Sequence, residues 1–218
     1  MSRPTSHYYM RPITSGDLDA VASWLQDTRD LALFDRNMAM PPNGDTLREL
    51  WKFDLVATKP HGAYWFAVED CGRKPVAIGG LQSISYVNGD AVLPILVSAP
   101  ERGKGIGLRI AVHLLDMAFD RLRLRRVTTF FRSDNQRTER LTKRVGFRQE
   151  GRMREAWFAD GKFHDCVVVG VLREEWSARR ESLHSELATS LKILLQAPGA
   201  ERETVMSRNE RQAEAGSG

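Results

Sequence analysis

The sequence predicts a single α/β (α+β) domain, a mixed, mainly antiparallel sheet with one strand–helix–strand crossover at its centre and helices on its flanks. Three observations carry this. Strand-like runs at 63–68, 76–86 and 91–97 follow one another, separated by Asp70-Cys71-Gly72-Arg73 and Asn88-Gly89-Asp90, and an Asn-Gly pair is a strong hairpin signal. From Ile106 to Leu122 the apolar period becomes that of a helix, with Leu108, Ala111, Leu115, Ala118 and Leu122 on one face and Ile110, Leu114 and Met117 beside it. Strand patterns then return at 126–131, 147–156 and 163–172, the last Val-rich and suited to a sheet interior.

The remaining elements follow in chain order. Residues 8–13 alternate weakly and predict a short opening strand, after which Ser15 can cap a helix to about Thr28, with Leu18, Val21, Ala22 and Leu25 on one face. Residues 33–44, with Pro41-Pro42 and Asn43-Gly44, read as a loop, and Asp45 then caps a helix carrying Leu47, Leu50, Trp51 and Leu55. These helices and this loop could wall a substrate cleft. Residues 135–144 form a short helix ended by Gly146, and Asp160-Gly161 turns between the last two strands. The folded domain is expected over 1–176. A helical extension over 177–197 would place Leu183, Leu187, Leu191 and Leu194 on one face, able to meet a second copy of the chain. Residues 198–218, polar and without aromatics, are expected to be disordered.

Bulk properties narrow the class. The chain has 218 residues, 42% of them hydrophobic, enough for one buried core. No apolar run approaches the ~20 residues of a membrane span, and the start lacks a basic-then-apolar leader, so a cytoplasmic protein is expected. Cys71 and Cys166 have no metal-ligand spacing around them; two free thiols and no metal are expected. The net charge of +4 is uneven: between Arg121 and Arg154 twelve Lys and Arg face three acids, a local +9 against −5 for the rest. Such a stretch suits a polyanion, whether cofactor phosphates, an acidic carrier or nucleic acid. Nucleic acid ranks last, because the stretch lacks interleaved aromatics for base stacking.

The chemistry gathers at Arg102-Gly103-Lys104-Gly105-Ile106-Gly107, between a strand and the buried helix. Glycines let a ligand approach the backbone, and a helix N-terminus directs unpaired N–H groups at an anion. A Walker loop is excluded, since no Gly-Lys is followed by Ser or Thr. A dinucleotide fingerprint is excluded too, because Leu108 and Ile110 stand where its third glycine is needed.

This segment resembles the Arg-x-x-Gly-x-Gly pyrophosphate loop of the GNAT acetyltransferase superfamily. Asn135, followed by Leu141 and Val145-Gly146-Phe147, resembles that superfamily's Asn…Gly-Phe signature. Asp160-Gly161 with Asp165 resembles a segment of its ribosomal-protein N-terminal acetyltransferase branch. The resemblance covers about 8–176. It implies a GNAT-like domain with splayed middle strands, acetyl-CoA as cosubstrate, and an amine acceptor, either a small molecule or a protein N-terminus. It assigns pantetheine contacts to Leu96 and Val97, pyrophosphate contacts to Arg102, Gly103, Lys104, Gly105, Ile106 and Gly107, and an amide contact to Asn135. Arg140 or Arg144 would meet the 3′-phosphate. Pro94 fits a splayed strand, because proline cannot donate to a sheet ladder.

Acetyl transfer needs a neutral amine, oxyanion stabilisation and a proton for the departing thiolate. A backbone N–H near Leu96 or Val97 can serve the oxyanion. Many relatives carry a tyrosine acid where this chain has Thr142; Thr138 and Ser133 are the alternatives. Glu69 and Asp90 are the candidate bases, and His113 and His164 read as structural. A second reading, motivated by the missing tyrosine, is a non-catalytic CoA-binding regulatory module.

Overall fold

The computed structural model describes residues 7–55, 62–188 and 192–195. Among the described residues nine strands form one sheet in the order β7-β8-β6-β4-β3-β2-β1-β9, with β5 pairing β3 beside β4. In chain order the strands are β1 (His7–Pro12), β2 (Tyr64–Glu69), β3 (Pro75–Ser85), β4 (Asp90–Val92), β5 (Ile95–Val97), β6 (Arg126–Arg132), β7 (Arg148–Ala159), β8 (Lys162–Leu172) and β9 (Lys192–Leu195). The helices are α1 (Leu18–Trp24), α2 (Thr28–Phe34), α3 (Gly44–Leu55), α4 (Ile106–Asp116), α5 (Gln136–Val145) and α6 (Arg173–Leu187). Two pairs are parallel: β4 with β6, across the α4 crossover, and β1 with β9. The predicted mixed, mainly antiparallel sheet is what forms.

Each face of the sheet is covered by helices. Leu18, Val21, Leu25, Leu31 and Leu47 from α1–α3 pack over Trp65, Ile78 and Leu96. On the other face Leu108, Ala111, Leu115 and Ala118 of the central helix join Trp176, Leu183 and Leu187 of α6 over Met10, Val68, Val127 and Val171. The helix that starts as α4 widens into a π turn over Met117–Arg121, and Trp176 Nε1 donates to Asp116 Oδ1 at 3.1 Å.

Four expectations are corrected. The first helix does not run to Thr28: it ends at Trp24, and Asp27 caps a new helix by accepting the Arg29 N–H at 2.8 Å, so part of the predicted 33–44 loop is α2. Thr14 replaces Ser15 as the opening cap, in a reciprocal pair with Asp17 that also receives Arg11 at 2.7 Å. Asn43, not Asp45, caps α3, its side chain accepting the Thr46 N–H at 2.7 Å, and Leu50 on that helix faces solvent. The C-terminal leucine pattern is divided. Leu183 and Leu187 are buried in this chain's own core, and Leu194 sits on β9. That helix begins at Arg173, inside the expected 1–176 domain, and β9 returns to the sheet edge, so 177–197 is not helical throughout. Leu191 and 198–218 lie outside the described residues.

Candidate active site

Pro94 divides the strand that the sequence reads as one. β4 pairs with both β3 and β6, and the last link across is Leu93 N–H to Thr128 O at 2.9 Å. Beyond it β5 stays on β3, in register Ile78↔Leu96 and Ala77↔Val97, while β6 runs on to Arg132 with β8. A wedge opens between β5 and β6. Its free groups follow from strand parity. Pro94 O accepts Gly80 N–H at 3.1 Å and Ser98 N–H donates to Val76 O at 2.9 Å, so the intervening Leu96 peptide groups face β3 and those of Ile95 and Val97 face the wedge. Of the expected pair, Val97 presents its backbone to the gap and Leu96 does not; Ile95 takes that place. The Val97 carbonyl already accepts Arg102 Nε at 3.0 Å.

The glycine-rich turn sits at the mouth of this wedge. Gly103 and Gly105 take φ of +79° and +87°, where a side chain is strained. The α4 ladder starts with Arg109 N–H to Gly105 O at 3.2 Å, so the amides of Ile106, Gly107 and Leu108 precede it at the positive end of the helix. At Gly107 an added Cβ would lie 3.3 Å from Leu141 Cδ1 and 3.6 Å from Val97 Cγ2, so glycine lets α4, α5 and β5 approach. Asn135 caps α5 by accepting Thr138 N–H at 3.1 Å, and Gly146 ends that helix at φ +106°.

Wedge and turn open into one cleft of about 770 Å³. Leu96, Val97, Arg102, Gly103, Gly105, Ile106, Gly107, Asn135, Arg140 and Arg144 all line it. Lys104 does not; its ammonium turns to Glu101 at 2.8 Å. Thr138 and Thr142 line it as well, but Thr142 is buried and its hydroxyl donates to Glu139 O at 3.0 Å. The two candidate bases lie elsewhere. Glu69 is buried against Arg11, which accounts for its charge, and Asp90 opens β4 beside the hairpin turn, at the opposite end of that strand from the wedge.

The carboxylates that do line the cleft are Asp30, Asp35 and Glu101. Asp30 meets Arg102 at 2.7 Å. Glu101 accepts the buried Tyr8 hydroxyl at 2.9 Å; burial first, then this bond and the charge of Glu101, push the phenol up to about 12. Sequence reasoning missed Asp30 because its helix lay across the predicted helix-to-loop boundary. The signal was Asp27-Thr28, a cap followed by an apolar face at Leu31. Aromatic rings line the cleft too: Phe34, Trp51, Trp65, Phe130, Phe131 and Phe147.

The Asp160-Gly161 and Asp165 segment shapes the β7–β8 hairpin. Asp160 and Gly161 take positive φ in the turn, and Asp165 accepts Glu155 N–H at 3.0 Å and Arg152 Nε at 2.7 Å, pinning the bulge where Glu155 has φ +51°. His113 sits under β9, with Nε2 3.1 Å from Ile193 O, and the half-buried His164 lies 3.7 Å from Asp134. Among the described residues no group of three or more His, Cys, Asp and Glu is arranged to hold a metal ion, and no helix is long and apolar enough to cross a membrane.

Comparison with known proteins agrees with this geometry. Residues 7–148 match the family described as Acetyltransferase (GNAT) domain. YdaF of Bacillus subtilis, named as a ribosomal N-acetyltransferase, is 29% identical over 46% of this chain, a match spanning only 55% of its own length. A spermidine N(1)-acetyltransferase of Vibrio cholerae is 26% identical over 53% of this chain and 67% of its own. A crystal structure of spermidine N-acetyltransferase from Vibrio cholerae, in complex with CoA and spermine, superposes with a TM-score of 0.69 at 22% identity. It covers 78% of this chain and 98% of that one, a likeness of fold.

Proposed function

The chain belongs to the GNAT acetyltransferase family, and from that premise we propose that it transfers an acetyl group from acetyl-CoA to a primary amine. The observation that carries this reading is the convergence of three features in one cleft: the β5/β6 wedge, the left-handed glycines, and the amides that precede the hydrogen-bond ladder of α4.

The residues fit the cosubstrate. Amides at the head of α4, with Arg102, offer donors and positive charge to a pyrophosphate, and Arg140 or Arg144 stands beside them for a further phosphate. Ile95 and Val97 offer strand-like hydrogen bonds to the amides of a pantetheine arm. Acetyl-CoA supplies the activated acyl group as a thioester. The chain contributes the rest. A wedge-facing N–H of Ile95 or Val97 stabilises the oxyanion that develops on the acyl oxygen as the amine attacks the acyl carbon. A cleft carboxylate, rather than Glu69 or Asp90, takes the proton that the amine must lose. The relatives' names span a ribosomal substrate and a polyamine, so the acceptor class within primary amines is set by this chain's own acceptor pocket. We take the cytoplasm as its compartment; Cys71 and Cys166 form no disulfide, which suits reducing conditions.

Calorimetric titration of acetyl-CoA into the wild type and into Gly105→Asp, followed by thiol release with an amine panel, tests the reading. The variant puts a carboxylate, in a strained conformation, where phosphate is expected. Wild-type binding abolished in a still-folded variant, with thiol release from an amine, supports acetyl transfer. Failure of the wild type to bind acetyl-CoA refutes it. Binding without thiol release from any amine leaves the non-catalytic CoA-binding module.

A further inference from the structure

The acceptor end of the cleft is aromatic rather than acidic. Trp51 and Trp65 stack with centroids 5.5 Å apart and planes 12° from parallel, and Phe34 meets Trp51 at 6.4 Å and 57°. Across the wedge Phe130 keeps 37% of its surface exposed, with the Arg36 guanidinium 5.7 Å from its ring centroid. All of these residues line the cleft. A polyamine leaving water needs a carboxylate or its equivalent for each ammonium. Among the described residues the cleft carboxylates are already engaged: Asp30 pairs with Arg102, Asp35 accepts the Asn37 N–H at 2.8 Å, and Glu101 accepts the Tyr8 hydroxyl and meets Lys104. Arg36 and Arg137 add positive charge to the same wall.

This end is also closed on one side. Trp157 of β7 donates Nε1–H to Ala32 O of α2 at 2.8 Å, and Trp157, Ala159 and Cys166 pack with Ala32. The hairpin and α2 therefore meet over the end of β6, where an extended peptide would need an open groove.

We infer that the acceptor is a small monoamine with an aryl or similarly flat apolar body, seated against the Trp51 and Phe130 rings with its nitrogen towards Asp30. The inference rests on the acetyl-transfer reading and narrows it. Two features fit it: flat rings gain most from aromatic walls, and a single nitrogen needs only one of the cleft carboxylates, Asp30, once Arg102 turns to phosphate. In the reaction the nitrogen–carbon bond forms as the carbon–sulfur bond breaks. The amine nitrogen releases one proton to Asp30 or water and the thiolate gains one, so no oxidant or reductant is needed.

Acetyl-CoA binding is measured first by calorimetry, then thiol release with phenethylamine, spermidine and an unblocked hexapeptide at matched concentrations. Wild type should show kcat/KM for phenethylamine at least about tenfold above that for the others. Trp51→Ala should raise the phenethylamine KM about 10- to 100-fold with acetyl-CoA affinity unchanged within about twofold. Should that variant fail to fold, Phe130→Glu, at a position already exposed, should instead shift the preference towards spermidine. Preference of the wild type for spermidine or for the peptide overturns the aryl-amine inference while leaving acetyl transfer standing. Failure to bind acetyl-CoA, or binding without thiol release from any amine, overturns both.

Discussion

Replacing Asp30 by Asn should tighten acetyl-CoA binding while making the protein less stable. Arg102 is engaged twice, by Asp30 Oδ1 at 2.7 Å and by the Val97 carbonyl at 3.0 Å. Both engagements compete with the proposed ligand, the first for the guanidinium and the second for a backbone acceptor in the wedge. The two side chains are 22% and 15% exposed, so the pair is neither fully screened nor fully dry. Two unit charges about 4 Å apart at an effective dielectric of about 20 attract by roughly 4 kcal/mol. Desolvation and side-chain ordering offset much of that, leaving about 1–2 kcal/mol net. If Arg102 must leave Asp30 to reach the pyrophosphate, the same 1–2 kcal/mol opposes binding, and Asp30→Asn should lower the acetyl-CoA Kd roughly 5- to 30-fold. The lost pair should lower Tm by about 2–8 °C in a chain of this size. Calorimetric titration and thermal unfolding on the same sample read both. An unchanged or weaker Kd would show that Arg102 serves the ligand without leaving Asp30, and would refute the competition.

Two further changes probe the frame of the site. Burial is the largest influence on His113 and holds its pKa below the ordinary value despite the Ile193 carbonyl beside it, so the imidazole is neutral in the fold. Because the unfolded chain takes up this proton as pH falls through about 6.5 and the folded chain does not, stability should decline below that pH by at most about 1.4 kcal/mol per unit. Denaturant midpoints from pH 7.5 to 5.5 should show the decline and lose part of it in His113→Gln; an identical slope in the variant would count against the assignment. Gly107→Val should add methyl groups where Cβ alone already lies 3.3 Å from Leu141, at a cost of about 1–3 kcal/mol and with weakened acetyl-CoA binding. Urea unfolding and calorimetry that both match wild type would show that α4, α5 and β5 can separate without loss.

The parts of the fold with a strong period were legible in the sequence. The central helix from Ile106, the strand at 76–86 and the Val-rich strand carry their burial pattern in residue order, and Gly105 and Gly146 mark helix ends where only a left-handed conformation will do. Positions set by pairing partners were not legible. Leu96 and Val97 differ by one residue and therefore by a whole face of the strand, and only the Val76–Ser98 and Gly80–Pro94 hydrogen bonds decide which faces the wedge. Likewise Glu69 ends a central strand, as a catalytic base could, but Arg11 on the neighbouring strand takes it. Asp30 was hidden because a seven-residue helix such as α2 has too short a period to register against a Pro- and Gly-rich neighbour.

Thr142 poses the sharpest chemical question, since it stands where many GNAT relatives place a tyrosine acid. Three facts argue that it moves no proton here. Its hydroxyl is committed to the Glu139 carbonyl three residues back, an ordinary bond for a helical threonine. It is 2% exposed, with little surface through which a thiolate could reach it. An aliphatic hydroxyl is also a far weaker acid than a thiol, which for a free cysteine has a pKa near 8.5, so proton transfer from threonine to a thiolate would be strongly uphill. A thiolate of that basicity can leave and collect its proton from water. Thr142→Val, nearly isosteric and freed only of an internal bond, should therefore keep kcat within about threefold and cost less than about 1.5 kcal/mol in stability. Single-turnover thiol release in the variant gives the answer. A fall of a hundredfold or more, with acetyl-CoA affinity intact, would mean that the hydroxyl leaves Glu139 during turnover and acts on the reacting atoms, and the solvent route would be wrong.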